Sequence, residues 1–210
     1  MHSDLVTNNS PRSIALFPGS FHPVTVAHLG IAQAALKWAD NVWLVLPRSF
    51  PHKSYDSVTL QDRLDLINAS LTDPRMAAMI TEGGLFIEMV QECRRRFPNI
   101  EKIYVVCGRD AAERIVNWDY DGMDPIEEQL EQYELLVAAR VGEFKPPTHL
   151  AHRIHPLIVE RDFDEVSATS LREAIRRGES WEHLTPAIIR DRVRALYSPG
   201  GIDSRKALSR

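Results

Sequence analysis

Two patterns of apolar residues alternate along this chain. Short continuous apolar runs of strand length are separated by longer stretches in which apolar positions recur every three to four residues. Ser13-Ile-Ala-Leu-Phe17 is the first run, ended by Pro18-Gly19. Asn41-Val-Trp-Leu-Val-Leu46 is the second, ended by Pro47, and Lys102-Ile-Tyr-Val-Val-Cys107 the third, ended by Gly108. Such runs fit strands buried on both faces of a sheet. Residues 133–139 and 153–159 read as two further strands. The helical period occupies residues 26–38, through Leu29, Ile31, Ala32, Ala35, Leu36 and Trp38. It recurs from a Thr59 cap through Leu60, Leu64, Ile67 and Leu71. Residues 85–97, 111–116, 126–132, 170–177 and 186–196 complete the predicted helices, with an Asp- and Gly-rich loop at 117–125.

Strands alternating with helices at these spacings predict βαβ units, and hence an α/β domain with a doubly wound, mainly parallel sheet flanked by helices on both faces. One domain over residues 13–197 accounts for the pattern, with no internal repeat or low-complexity segment. Residues 1–12 and 198–210 are polar, lack a periodic apolar face and are predicted to be mobile tails.

Composition narrows the function classes without choosing one. A chain of 210 residues, 44% hydrophobic and 26% charged, has the balance of a globular protein able to bury a core without staples. Two cysteines, Cys93 and Cys107, both lie in apolar patterns, so buried thiols of a reducing, cytoplasmic compartment are expected rather than a disulfide framework. No stretch approaches the roughly 20 apolar residues of a membrane span, and the polar start does not read as a signal peptide. Lys and Arg number 25 against 29 Asp and Glu, a net charge of -4, which argues against a long nucleic acid as partner. A homo-oligomer remains compatible with all of this.

In doubly wound sheets the ligand sits at the carboxyl ends of the strands. That directs attention to Phe17-Pro-Gly-Ser-Phe-His-Pro-Val-Thr-Val-Ala-His28, which leaves the first strand and enters the first helix. Gly19 and Ser20 allow a tight turn that presents N–H groups. Thr25 and His28, three apart, share one face of the starting helix. The helix N-terminus adds free N–H donors and partial positive charge, which suits phosphate.

The same residues carry a family resemblance. Gly19-Ser-Phe-His-Pro23 and Thr25-Val-Ala-His28 are similar to the paired signature of the nucleotidyltransferase (cytidylyltransferase-like) superfamily, Gly-x-Phe-Asp-Pro followed by Thr/His-x-Gly-His. His22 stands where that family usually has Asp, and Ala27 where it usually has Gly. Val166-Ser-Ala-Thr-Ser-Leu-Arg172 resembles the family's Ile-Ser-Ser-Thr-x-Ile-Arg. Pro47-Arg-Ser-Phe-Pro-His-Lys53, the following helix with Arg63, Gly108-Arg-Asp110, Trp118 and Arg140-Val-Gly142 resemble the nicotinate-nucleotide adenylyltransferase branch in particular. The branch's Tyr-Thr-x-Asp-Thr-Leu segment is replaced by Ile80-Thr-Glu-Gly-Gly-Leu-Phe86, where Thr81 survives.

The resemblance implies a Rossmann-like fold and an adenylyltransferase that uses ATP with Mg²⁺. The phosphate of an acceptor mononucleotide, nicotinate mononucleotide by this likeness, would attack the α-phosphorus and release pyrophosphate. It implies catalytic roles for Thr25, His28, Lys53 and Arg172. ATP would contact Gly19, Ser20, Phe21, His22, Thr25, His28, Gly108, Asp110, Ser167, Thr169 and Arg172, and the acceptor Thr81, Trp118 and Arg140. Metal ligation by protein side chains is not expected, since Mg²⁺ is usually held by substrate phosphates and water. Two alternatives stay open: a pantetheine-phosphate adenylyltransferase, whose version of the first motif has Thr where this chain has Thr25, and a relative that binds nucleotides without turnover. ATP or CTP as donor also stays open.

Other signals point elsewhere. His149, His152 and His155 lie among Pro146, Pro147 and Pro156 and lead into a strand, where alternation separates His152 from the other two, so a zinc site is not expected. Arg94, Arg95 and Arg96 suit a helix C-terminus. The acidic stretch 119–134 lacks metal-ligand spacing.

Overall fold

The computed structural model describes residues 11–48, 58–118, 120, 124–138, 144–160 and 163–198. In chain order the elements are β1 (Ser13–Pro18), α1 (Val26–Ala35), β2 (Asn41–Pro47), α2 (Leu60–Ser70), β3 (Met76–Thr81), α3 (Phe86–Arg96) and β4 (Lys102–Gly108). Then come α4 (Arg109–Val116), α5 (Ile126–Gln129), β5 (Glu134–Ala138), β6 (Ile154–Pro156), α6 (Ala168–Arg177) and α7 (Arg190–Tyr197).

All strand pairs are parallel, and the sheet runs β3-β2-β1-β4-β5-β6. The chain winds outward from β1 through β2 to β3, then returns to place β4 against the other side of β1. The direction of winding therefore reverses between β1 and β4, and a crevice is expected beyond their carboxyl ends. This is the doubly wound arrangement predicted from the alternation of runs, and it is Rossmann-like, as the resemblance implies.

Period-two alternation sorts each strand onto two cores. From β1, Ala15 and Phe17 face α1, α2, α6 and α7, in one cluster with Ile31, Leu66, Leu171 and Val193. Ile14 and Leu16 face the opposite side, with Met89 and Val90 of α3, Ala112 of α4 and Ile126. Burial on both sides is why the central strands read as continuous apolar runs. Each fully buried Leu or Ile contributes about 1.5–3 kcal/mol.

β3 was not anticipated. Its sequence, Met-Ala-Ala-Met-Ile-Thr, is rich in residues that favour helix, yet pairing with β2 from Val42↔Met76 to Pro47↔Thr81 overrides that preference. Two elements are shorter than expected: the helix at 126–132 stops at Gln129, and the strand at 153–159 stops at Pro156, just before a last bond to β5 from the Leu157 N–H to the Val137 carbonyl at 2.9 Å. The helix expected over 186–196 is a short 3₁₀ turn, Ala187–Ile189, followed by α7. The histidine run likewise begins in a 3₁₀ turn, Thr148–Leu150, so strand alternation applies only from Ile154 onward. There His149 meets Glu127 at 3.2 Å, and His155 meets Glu134 at 2.7 Å while stacking on Trp38. No described helix is long and apolar enough to cross a membrane. Both thiols are buried, and desolvation pushes Cys93 up to about 11 and Cys107 up to about 12.

Candidate active site

β1 ends at Pro18, and the chain must reverse within a few residues to start α1. Gly19 donates its N–H to the Val45 carbonyl at 3.0 Å, which pins the start of the turn to β2. That donor is therefore engaged in the fold, contrary to the expectation that it faces a ligand. A Cβ on Gly19 would lie 2.8 Å from the tip of the Phe21 ring, so only glycine fits there. Phe21 itself has φ 41°, in the left-handed region that a bulky residue enters at a cost of about 1–2 kcal/mol. Its ring is fully buried and packs edge-on against Phe17 and His28 at 5.6 and 5.0 Å. Burial of this ring offsets the strain and holds the turn in one shape.

Thr25 caps α1 and is fully buried. Its hydroxyl accepts from the His28 backbone N–H at 3.4 Å, and its own backbone N–H donates to His28 Nδ1 at 3.0 Å. The two residues thus close a reciprocal capping box in which histidine takes the place usually held by Glu or Gln. One consequence is chemical. Because Nδ1 accepts from the backbone, the neutral imidazole carries its proton on Nε2, and the ring is presented as a donor at the helix N-terminus.

Two arginines brace the turn from distant elements. Arg63 of α2, only 4% exposed, donates to the Ser20 carbonyl at 2.8 Å. Arg172 of α6 donates to the His22 carbonyl and, at 3.1 Å, to its own helix at Ala168, with Thr169 Oγ1 at 3.3 Å. Ser167 caps α6 and accepts from the Ser170 N–H at 2.9 Å. Burial, then the positive charges of Arg172 and Arg63, push the His22 imidazole from 6.5 down to about 4, so it is neutral at physiological pH. The imidazole is neutral where the resembling family has an anion.

Thus Gly19, Ser20, Phe21, His22, Thr25, His28, Ser167, Thr169 and Arg172 converge at the carboxyl end of β1. Gly108 and Asp110 sit beside them at the end of β4, Asp110 with its carboxylate almost wholly exposed and 4.0 Å from Arg109. Thr81 does not join the group: it is buried, and its hydroxyl donates to the Gly83 carbonyl at 3.1 Å. Lys53 and Arg140 lie outside the described residues.

The crevice expected between β1 and β4 is present as a cavity of about 450 Å³. Phe17, Gly19 and Ser20 form one wall, while Thr25 and His28 do not line it. Phe86, Ile87 and Met89 of α3, Ile115 of α4 and Trp118 make it largely apolar, while Arg114, Tyr120, Gln129 and Tyr133 add polar groups. Trp118 is 54% exposed, a large ring held at the cavity edge rather than in a core. The Gly83-Gly84 turn opens α3 toward it, and a Cβ on Gly83 would strike the Glu88 carboxylate at 2.3 Å. That carboxylate accepts from the Leu85 N–H at 2.9 Å and caps the helix. Apart from Gly19, Ser20, Gly108 and Trp118, the lining residues were missed from sequence. Their signal was the helical recurrence Gly108, Ala111, Ile115 and Trp118, which turns one face of α4 to the cavity.

The fold and turn define an α/β domain of the mononucleotide-binding kind, with a crevice at its winding reversal and a donor-rich helix start beside it. The cytidylyltransferase-like profile matches residues 16–174, and the chain belongs to that family. Among curated relatives, a probable nicotinate-nucleotide adenylyltransferase of Treponema pallidum is 28% identical over 200 residues, 88% of this chain and 98% of the relative. A phosphopantetheine adenylyltransferase of Geobacter metallireducens is 34% identical over 80 residues, 38% of this chain and 48% of the relative. The solved structure of Plasmodium falciparum nicotinic acid mononucleotide adenylyltransferase complexed with NaAD superposes with a TM-score of 0.66 at 18% identity, covering 87% of this chain and 94% of that one. That likeness carries the fold.

Proposed function

We propose that this chain is an adenylyltransferase that joins the AMP part of ATP to the phosphate of nicotinate mononucleotide and releases pyrophosphate. An oxygen of the acceptor phosphate forms a bond to the α-phosphorus while the bond from that phosphorus to the pyrophosphate oxygen breaks. The reaction needs no covalent nucleophile on the protein, only alignment and stabilisation of charge on the phosphate oxygens. The Thr25–His28 capping box carries this reading, because it aims an imidazole N–H and a helix N-terminus at one point beside the crevice. His28 Nε2 would donate to the oxygens that gain charge as the bond breaks. Arg172, Ser167 and Thr169 would hold the leaving pyrophosphate, with Lys53 assisting, and Asp110 would accept from the ribose. Trp118 and Arg140 are assigned to the acceptor, whereas Thr81, buried and bonded to Gly83, holds the turn before α3.

ATP enters as its Mg²⁺ complex. Among the described residues no three His, Cys, Asp or Glu cluster where they could ligate an ion, and the groups gathered at the turn are mainly N–H and O–H donors. That donor set suits an ion carried by phosphates and water, and the ion would supply charge neutralisation. Buried, protonated thiols accord with a reducing cytoplasm as the working compartment.

The full-length similarity to curated nicotinate-nucleotide adenylyltransferases supports the acceptor assignment. The shorter match to a phosphopantetheine adenylyltransferase favours a second acceptor, but a cavity walled by Trp118 and Phe86 suits a flat ring better than a flexible arm. The test is pyrophosphate release with MgATP or MgCTP and three acceptors: nicotinate mononucleotide, nicotinamide mononucleotide and phosphopantetheine. Release with ATP and nicotinate mononucleotide is expected. Release only with phosphopantetheine establishes the second reading, and nucleotide binding without release establishes a non-catalytic protein.

A further inference from the structure

Arg114 is an exposed cation at the rim of the cavity. It stands in the last turn of α4 and lines the largely apolar cavity between β1 and β4. Two carboxylates of the same helix are within reach of a cation, but both lie against a different one: Arg109 is 3.3 Å from Glu113 and 4.0 Å from Asp110. Arg114 makes no hydrogen bond or ion pair with another described residue. Trp118 follows it by four residues, and the Trp118 N–H still reaches back to the Ile115 carbonyl at 3.5 Å. Residues four apart on a helical turn have Cβ atoms roughly 5–6 Å apart. The guanidinium and the indole therefore flank the same part of the cavity edge.

We infer that Arg114 selects the acceptor by pairing with a carboxylate borne on its aromatic ring, and so favours the acid over the corresponding amide. The inference rests on the acceptor reading above and adds to it a residue that determines specificity. A flat ring against Trp118 would bring its substituent alongside Arg114, whose planar fork matches a carboxylate in two parallel hydrogen bonds. Arg114 is exposed, so the pair depends on this two-point geometry rather than on shielding from solvent. A neutral amide offers one acceptor and no charge, so it gains little from the same cation. The acceptor's phosphate is the other anion that Arg114 could meet. It is expected instead near Thr25 and His28, neither of which lines the cavity.

Steady-state kinetics of wild type, Arg114→Gln and Arg114→Lys, with nicotinate mononucleotide and with nicotinamide mononucleotide, separate these cases. In Arg114→Gln the KM for the acid should rise by about 10- to 100-fold, the loss expected for a charged hydrogen-bonded pair. Its kcat and the KM for the amide should stay near wild type, and Arg114→Lys should recover part of the acid preference. An unchanged acid-to-amide ratio in Arg114→Gln overturns the inference while leaving the adenylyltransferase reading intact. Equal weakening of both acceptors also overturns it, since that assigns Arg114 to the shared phosphate. If wild type releases no pyrophosphate with either acceptor, the functional reading fails and takes the inference with it.

Discussion

His22 offers a measurement of how tightly the turn is braced, independent of substrate. In the folded chain, burial and then the charges of Arg172 and Arg63 lower the imidazole from 6.5 to about 4. As pH falls, the unfolded chain takes up the proton first, because its histidine keeps the ordinary value. The fold therefore has its full stability above pH 6.5 and loses it progressively as pH drops toward 4. At pH 5 the shift corresponds to about 2 kcal/mol by linkage, and solvent screening at a half-buried ring reduces this to about 1 kcal/mol. Replacing His22 by Asn removes the titration and keeps both arginines. Urea unfolding, followed by the fluorescence of the four tryptophans, should show wild type losing about 1 kcal/mol more than His22→Asn between pH 7.5 and pH 5. Calorimetry should show the same effect as about 2–4 °C in Tm. Carboxylates titrate in both proteins and cancel in the difference. Parallel curves of stability against pH for the two proteins would refute the account of this turn.

Two further outcomes follow from the same geometry. His28→Ala should lower pyrophosphate release by roughly 10²–10⁴-fold, while the lost capping contact costs only about 1 kcal/mol of stability. Near-wild-type turnover in that folded variant would remove His28 from the chemistry. Gly19→Ala forces a methyl to within 2.8 Å of a fully buried Phe21 ring, and overpacking of this kind costs about 1–3 kcal/mol. A Tm equal to wild type would show that the ring yields more easily than its burial implies.

The parts of the molecule legible in sequence are those in which local and global preferences agree. β1, β2 and β4 are buried on both faces, so their apolar runs are unbroken and mark the central strands of the sheet. The Thr25–His28 turn was legible because a helix start has fixed chemical demands that short motifs satisfy. β3 was not, since Met76-Ala-Ala-Met79 carries no strand preference and is held in place by β2. The cavity was only half legible. Trp118 was marked by the family resemblance, whereas Arg114, Tyr120 and Tyr133 belong to it only through the packing of α4 against β4 and β5. The structural role of the Gly19 N–H was equally hidden, because its acceptor, Val45, lies on another strand.

The two cores on opposite faces of the sheet bear on how this enzyme could change over time. Thr25, His28 and Arg172, the groups proposed to meet phosphate, hang from helices anchored in one core, whereas Phe86, Arg114 and Trp118 hang from elements anchored in the other. Substitutions that reshape the acceptor pocket fall on the second core and leave the packing behind the first undisturbed. Such a partition lets selectivity drift while the reactive half is conserved. It also marks residues 83–87 and 111–118 as the segments to exchange in redesigning which acceptor is used.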